Sequence, residues 1–549
     1  MSVRFKPVAY RRAAQNIESL SEDIEDIYKR EELEEIPGVG KGIALRIKEY
    51  LETGQLKYLE ELRSEFPKGM EELVKIEGIG PKTALKLIKK LRINSVEDLE
   101  AAIKQGKLSG LNGFGVKKEE NILRGIELYK ASKGRFLLGD ILPIANSLED
   151  AFKKMEFIQK INVAGSIRRR NETVRDIDIL AASKEPRKVI KFLTEMKNIK
   201  EVLTEGETKC SVILNNDVQV DLRVIDVSSY GSALQYFTGS KDHNVKLRQI
   251  AKKKKWKLNE YGLFNTVNDE RLAGENEKDI YKTLDLEYIE PELRENRGEL
   301  EAAQKGLLPN LVSQDQIKGD LHIHTVWSDG NNTIEEMAKA AKQLNYEYIA
   351  ICDHARGLQI VRSLSERDIS KQLQEIELIN RNIEGFTVLS GIELNIDARG
   401  QLDIRNAVLE DLDIVIASIH SGFKQEEKKM TERVLKAIHN DYVNILGHPT
   451  GRIINRRSPL NLNLLKIFET ASELGIFMEI NAFPDRLDLS DVNCFIARDH
   501  NIQFSIGTDA HNSEQLNFME FGISTARRGW LESKQIVNNY SLKELYKLI

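Results

Sequence analysis

The chain has 549 residues, 41% of them hydrophobic and 30% charged, too many for one ordinary core, so two large units or several subdomains are expected. No apolar run reaches the length of a membrane span, and the N-terminal MSVRFKPVAYRRAAQNI lacks the apolar stretch of a signal peptide, so a cytoplasmic protein without a membrane role is expected. Net charge is −5, yet basic residues gather at Lys82 to Arg92, at Arg168 to Arg170 and along KLRQIAKKKKWK from Lys246, and such clusters decide affinity for an anionic polymer.

Three glycine turns recur in the first 120 residues: IPGVGKGIA from Ile36, IEGIGPKTA from Ile76 and LNGFGVKKE from Leu111. Each opens a helical pattern, which outlines a repeated helix-hairpin-helix. A lone GxG before a helix is more often a cap. Three copies, with Lys41, Lys82 and Lys117 beside the turns, point instead to backbone amides that accept DNA phosphates without reading bases. The candidate DNA contacts are therefore Gly38, Gly40, Gly78, Gly80, Gly113 and Gly115.

From Ile161 the pattern changes to short β-branched runs (INVAGS, DIDILAA, CSVILNN, VQVDLRVID) around one helical stretch, a mixed α/β sheet. A basic helical segment and a hairpin near WKLNEYGLFN follow, and LLPNLVSQDQIK, with Pro309 and little periodicity, reads as a linker. Seven apolar strand candidates then alternate with helical segments: GDLHIHT, YEYIAICDHA, FTVLSGIELN, DIVIASIHSG, VNILGHPTG, GIFMEINAF and IQFSIGTDAH. That alternation implies a parallel sheet or α/β barrel, with polar residues at the strand ends where barrels carry chemistry. Cys210, Cys352 and Cys494 form no CxxC pair, so core filling is their expected role.

Two constellations carry chemistry. Asp176 and Asp178 lie two apart in a strand pattern and share a face, and Asp221 in VQVDLRV offers a third carboxylate from a neighbouring strand. Oxygen donors of this kind suit Mg²⁺ or Mn²⁺, and two such ions can activate a 3′-hydroxyl and stabilise a leaving pyrophosphate. A bare DxD on an edge strand would be unremarkable, but the preceding Gly165 and Ser166 and the arginine cluster form a turn suited to a triphosphate. The second constellation is histidine-rich. His322, His324, His354, His420, His448 and His511 all fall at strand ends, beside Asp329, Glu393 and Asp509. These nine donors suffice for two or three Zn²⁺ or Mn²⁺ ions with open positions. HIH and DAH each set two ligands on one strand face, so each pair is expected to grip one ion. His243, His439 and His500 read as structural, and Arg452 after GHPTG as either a phosphate clamp or an ordinary surface arginine.

GS with DxD eleven residues on, the VDLR strand and YFTGSKDHNVKLR together resemble a family X DNA polymerase over roughly residues 5 to 310. The resemblance implies Asp176, Asp178 and Asp221 as metal ligands, with Ser166 and Arg169 on the incoming triphosphate. It further implies Tyr236, Phe237 and Gly239 as a sugar-facing turn, Asn244 as a minor-groove contact and Arg248 as a template contact. HIHT, CDHA, GIE, SIHSG, GHPTG and TDAH resemble the polymerase-and-histidinol-phosphatase (PHP) domain, a distorted seven-stranded barrel, over about 318 to 549.

The implied layout is multidomain α and α/β. It comprises an N-terminal hairpin domain (1–75), a duplex-binding hairpin domain (76–137), a nucleotidyltransferase palm (138–226), a thumb (227–305), a linker (306–317) and the PHP domain (318–549). The implied activity is gap filling in base excision repair, with 3′-to-5′ exonuclease or abasic-site cleavage in the barrel. The implied partners are dNTPs and gapped or primer-template DNA, bound by a monomer. Two departures stand out. The Schiff-base lysine of the family's lyase is replaced by Arg46, whose guanidinium cannot attack an aldehyde, so no lyase by that route is expected. The chain also starts almost at the segment from Ala9 to Ile17, so this end is expected to be incompletely folded. The alternatives are a small-molecule phosphatase on a DNA-tethering arm, separable by phosphate release from small esters, and a non-catalytic scaffold, which would incorporate no nucleotide.

Overall fold

The computed structural model describes residues 9–10, 13–14, 17, 24–36, 38–108, 111, 114–355 and 363–549. The turn glycine Gly113, most of the extreme N-terminus and the segment 356–362 lie outside them.

The hairpins follow from glycine placement. Helices α1 (Lys41–Thr53), α2 (Pro81–Leu91) and α3 (Val116–Ser132) start directly after Gly40, Gly80 and Gly115, extended caps that offer no side-chain oxygen. The first-turn amides are therefore left to solvent or to an anion. Gly38 and Gly78, at φ 78° and 88°, turn the chain in the region that a side chain disfavours. The first hairpin has its own small core (Leu33, Ile36, Val39, Ala44), and the second and third share one built on Leu73, Ile79, Leu87, Phe114 and Ile122.

The palm sheet comprises β1 (Lys160–Val163), β2 (Asp176–Ala182), β3 (Ile199–Glu205), β4 (Lys209–Leu214) and β5 (Gln219–Ile225) in the order β1-β2-β5-β4-β3. Only β2 and β5 run parallel, the other pairs being antiparallel. Ile177 and Ile179 are buried while Asp176 and Asp178 face the other way, the period of two that makes DxD a one-sided pair. The thumb begins with α4 (Tyr230–Thr238) and α5 (Lys241–Lys253) and continues into a small antiparallel sheet, β6 (Trp256–Asn259), β7 (Gly262–Asn265) and β8 (Arg271–Ala273).

Seven parallel strands follow in sequential order: β9 (Gly319–Ile323), β10 (Tyr348–Ile351), β11 (Thr387–Asn395), β12 (Ile414–Ser418), β13 (Ile445–Leu446), β14 (Phe477–Asn481) and β15 (Phe504–Gly507). Just beyond β15 the chain returns beside β9, where His324 N–H donates to the Ala510 carbonyl at 2.8 Å and Asp509 N–H to that of His322 at 2.9 Å, nearly closing the barrel. Alternate residues fill the interior (Ala350, Leu389, Ile416) and the outer layer beneath the helices (Ile349, Val388, Val415). No helix among the described residues is long and apolar enough to cross a membrane.

The two halves are welded rather than tethered. The palm core runs on into Ile454, Leu487 and Phe521 of the barrel half, and the thumb core includes Trp530. Each such side chain contributes roughly 1.5–3 kcal/mol of burial. The expected linker is docked as well: Val312 is fully buried in the barrel core, and its N–H donates to the Leu531 carbonyl at 3.3 Å. Its aperiodic sequence reflects an irregular docked strap, which has no repeating face to show. All three cysteines are buried and unpaired.

Candidate active sites in the palm and the barrel

In the palm, Asp178 and Asp221 stand opposite each other across the parallel β2–β5 pair, with Asp176 two residues back. Gly165, at φ 58°, closes over them: a Cβ there would lie 2.0 Å from Asp178 Oδ2, so only glycine fits. Burial, reinforced by the negative charges of Asp176 and Asp221, pushes the Asp178 carboxyl up to about 7, and burial and Asp221 raise Asp176. Asp221 accepts hydrogen bonds from the Ser211 hydroxyl and, at 2.8 Å, from Gln219 Nε2. A cavity of about 300 Å³ opens beside them, bounded by Asp178, Asp221, Lys209, Arg223 and Phe237.

The other expected nucleotide contacts are distributed less evenly. Ser166 is half-buried on the short Gly165–Arg168 helix. Arg169 is committed to the thumb, its Nε meeting Glu295 Oε1 at 3.0 Å and its Nη1 the Thr238 carbonyl at 2.6 Å. Gly239 leaves room for that guanidinium, since a Cβ would stand 3.2 Å from Arg169 Nη1. Tyr236 and Phe237 pack edge to face at 5.2 Å, both half-buried, with Arg223 over the Phe237 ring. Asn244 is turned inward: Nδ2 donates to the Tyr236 carbonyl at 2.7 Å and Oδ1 accepts from Gln235 at 2.6 Å. Arg248 is exposed on α5. Arg46 of the first hairpin lies over the Tyr58 ring at 4.0 Å.

The barrel site is denser. Three groups of ligand atoms each lie within 4.8 Å of one another: His324, Asp329, His354 and His511; His322, His324 and Asp509; His354, Glu393 and His420. His324 and His354 belong to two groups apiece, so the groups form a chain of three adjoining positions. Glu393 links them, its Oε2 lying 2.8 Å from His354 Nδ1 and its Oε1 3.2 Å from His420 Nε2 and 3.1 Å from His448 Nε2. Burial would raise Glu393, Asp329 and Asp509, yet the surrounding histidines hold all three carboxylates well below their usual range. The buried ring nitrogens His324 Nδ1, His420 Nδ1 and His448 Nδ1 have no hydrogen-bond partner, as suits donors that await cations.

One expected pair is divided between adjoining groups. Asp509 and His511 do not share a group: Asp509 joins His322 and His324, and His511 joins Asp329. Strand alternation ends at Gly507 and Asp509 adopts φ 56°, yet His511 Nδ1 stays 3.9 Å from Asp509 Oδ1, so the two stand side by side at adjoining positions. Arg452 is also corrected, since Nη2 is spent on Glu172 of the palm at 2.7 Å and on the Leu487 carbonyl at 2.5 Å. His243 is structural, held between Glu299 at 2.7 Å and Tyr281 at 3.0 Å.

Sequence reasoning missed two neighbours of the barrel cluster. Glu479 Oε1 takes His322 Nδ1 at 2.6 Å, and its other oxygen receives the His448 N–H, so it orients two ligands at once. A carboxylate within the apolar strand GIFMEIN was the available signal. Arg486 lies 3.6 Å from Asp509 Oδ2, where it can meet a phosphate.

Family models match in the same order along the chain: a helix-hairpin-helix domain at 2–56, a SAM-like helix-hairpin-helix tandem at 70–127, the DNA polymerase beta thumb at 233–295 and the PHP domain at 320–483. The DNA polymerase/3′-5′ exonuclease PolX of Bacillus subtilis is 39% identical over 98% of this chain and 94% of its own length. A Thermoanaerobacter protein named "Probable phosphatase" is 30% identical over 40% of this chain and 89% of its own. The solved Leishmania infantum polymerase beta ternary complex aligns with 42% of this chain and 98% of its own at 23% identity, with a TM-score of 0.27 that adds nothing to the assignment. With both likenesses in one continuous chain, the protein belongs to the family X DNA polymerases that carry a C-terminal PHP domain.

Proposed function

We infer that the chain fills short DNA gaps in base excision repair by adding dNTPs to a primer end in the palm, and trims 3′ ends, or cleaves at abasic sites, in the barrel. The reading rests on one observation above all: two separate ligand sets, three carboxylates in the palm and nine donors in the barrel, are complete within one chain. The hairpin units (1–75 and 76–137) grip phosphates on the 5′ side of the gap through bare helix amides, the palm (138–226) and thumb (227–305) hold the primer end and nucleotide, and a monomer in the cytoplasm suffices.

Both sites fit divalent cations. The palm gathers mutually repelling carboxylates that a cation would relieve, and the barrel presents orphaned ring nitrogens beside carboxylates. When bound, Mg²⁺ or Mn²⁺ in the palm and two or three Zn²⁺ or Mn²⁺ ions in the barrel would activate the attacking oxygen and neutralise charge on the phosphoryl group. Asp176, Asp178 and Asp221 would hold the palm ions. Gly165 lets the triphosphate approach the backbone, Ser166 donates to it, and Arg169 exchanges Glu295 for its phosphates. Tyr236, Phe237 and Gly239 face the sugar, Arg248 faces the duplex from α5, and Asn244 reaches the minor groove by giving up its inward bonds to Tyr236 and Gln235. In the barrel, Glu479 fixes the ring of His322, and Arg486 holds the scissile phosphate.

The test uses a 5′-phosphorylated one-nucleotide gap, with and without dNTPs. Asp178→Ala abolishes extension and spares degradation of single-stranded DNA, and His322→Ala does the reverse. Loss of both activities from either change would overturn the two-site reading.

A further inference from the structure

The seam between the halves carries a charge cluster that neither site accounts for. Barrel helix α6 (Met519–Arg528) buries Phe521 in the palm core and ends on Arg528. Arg528 Nη1 donates to the Arg169 carbonyl at 2.6 Å and to Glu295 Oε1 at 3.0 Å, the same oxygen that receives Arg169 Nε. Its Nε and Nη2 hold Asp491 Oδ2 at 3.1 and 2.9 Å, and Arg297 of the thumb reaches that oxygen at 3.0 Å. The side chains of Arg169, Glu295, Arg528 and Asp491 are 13%, 18%, 9% and 13% exposed, so their charges must balance locally.

Counting charges assigns the roles. Three guanidiniums (Arg169, Arg297, Arg528) face two carboxylates (Glu295, Asp491), so one cation is in surplus. Only Arg169 sits on the Gly165 turn and can be released. If it leaves Glu295 for an incoming phosphate, Arg528 and Arg297 still neutralise Glu295 and Asp491. Without Arg528, the same departure would strand a mostly buried carboxylate, and Glu295 would keep Arg169 for itself.

We propose that Arg528, supplied by the barrel, is a positioning residue for DNA synthesis: it occupies Glu295 so that Arg169 is free to bind the triphosphate of the incoming nucleotide. The proposal rests on the reading of Arg169 given above. It makes the barrel a working part of the polymerase pocket, independently of the barrel's own chemistry.

The experiment measures KM for dNTP and kcat in one-nucleotide gap filling by the full-length protein, with exonuclease on single-stranded DNA as a control on the fold. Arg528→Ala raises the dNTP KM by about tenfold or more, changes kcat by less than about threefold and leaves exonuclease intact. Adding Glu295→Gln, which removes the competing carboxylate, returns KM to within about threefold of the starting protein. A purely structural role would not be rescued in this way, so a raised KM that Glu295→Gln leaves unrelieved overturns the proposal, as does an unchanged KM in Arg528→Ala. Arg169→Ala separates the two layers. If it raises KM while Arg528→Ala does not, only this proposal falls; if it too leaves KM unchanged, the reading of Arg169 falls with it.

Discussion

The palm and the barrel solve the problem of gathering metal ligands in opposite ways. The palm stacks like charges: Asp176, Asp178 and Asp221 stand on neighbouring strands, and burial together with their repulsion pushes the Asp178 carboxyl up to about 7. The barrel interleaves acids and bases, so Glu393, Asp329 and Asp509 each lie against histidines and remain ionised. A site of the first kind is electrostatically incomplete until cations arrive with the substrate, whereas one of the second kind is organised by its own side chains. The barrel should therefore hold its ions as resident parts and the palm should bind them in step with the nucleotide.

The largest expected effect lies at the link of the barrel cluster. Glu393→Gln lowers nucleotide release from labelled single-stranded DNA by about a thousandfold or more and leaves gap filling unchanged. Retention of more than about a tenth of the nuclease rate would mean that the barrel cluster is not the cutting site. Next comes Glu479, which touches ligands rather than substrate. Glu479→Gln should cost roughly 10–100-fold in nuclease rate, recovered in part by raising the Mn²⁺ concentration, because the loss is one of ligand orientation. A loss insensitive to metal concentration would argue against that role. Arg486→Ala should raise the nuclease KM for DNA by about tenfold through a lost phosphate contact, read in a salt series in which the variant is the less salt-sensitive protein.

Strand and helix periods made most of the architecture legible: the period of two around Ile177 and Ile179 placed DxD on one face, and seven apolar runs laid out the barrel in order. What stayed illegible depended on long-range packing. LLPNLVSQDQIK has no period because it docks as a strap. The Arg452–Glu172 pair joins residues 280 positions apart, and no local signal can announce it. The assignment of Asp509 and His511 to adjoining groups goes with a single left-handed residue just past a strand end, where alternation no longer governs direction. The inward turn of Asn244 is of the same kind, set by Gln235 on the preceding helix.

The smallest effect bears most directly on the contrast between the sites, because it concerns stability rather than rate. In the folded protein Asp178 holds its proton up to about pH 7, whereas in the unfolded chain it releases it near the ordinary 3.8. Between those values the native state binds more protons than the unfolded state, so stability falls as pH rises through the window and the loss is complete above it. Asp178→Asn cannot ionise and escapes the loss. In chelator at pH 8 it should be more stable than the starting protein by on the order of 1–3 kcal/mol in urea unfolding followed by far-ultraviolet circular dichroism, with the difference vanishing below about pH 4. Mg²⁺ should then stabilise the starting protein and not the variant, since a cation relieves the same repulsion by another means. Equal stability of the two proteins at pH 8 would show that the palm carboxylates share no such strain, and the contrast with the barrel would lose its physical basis.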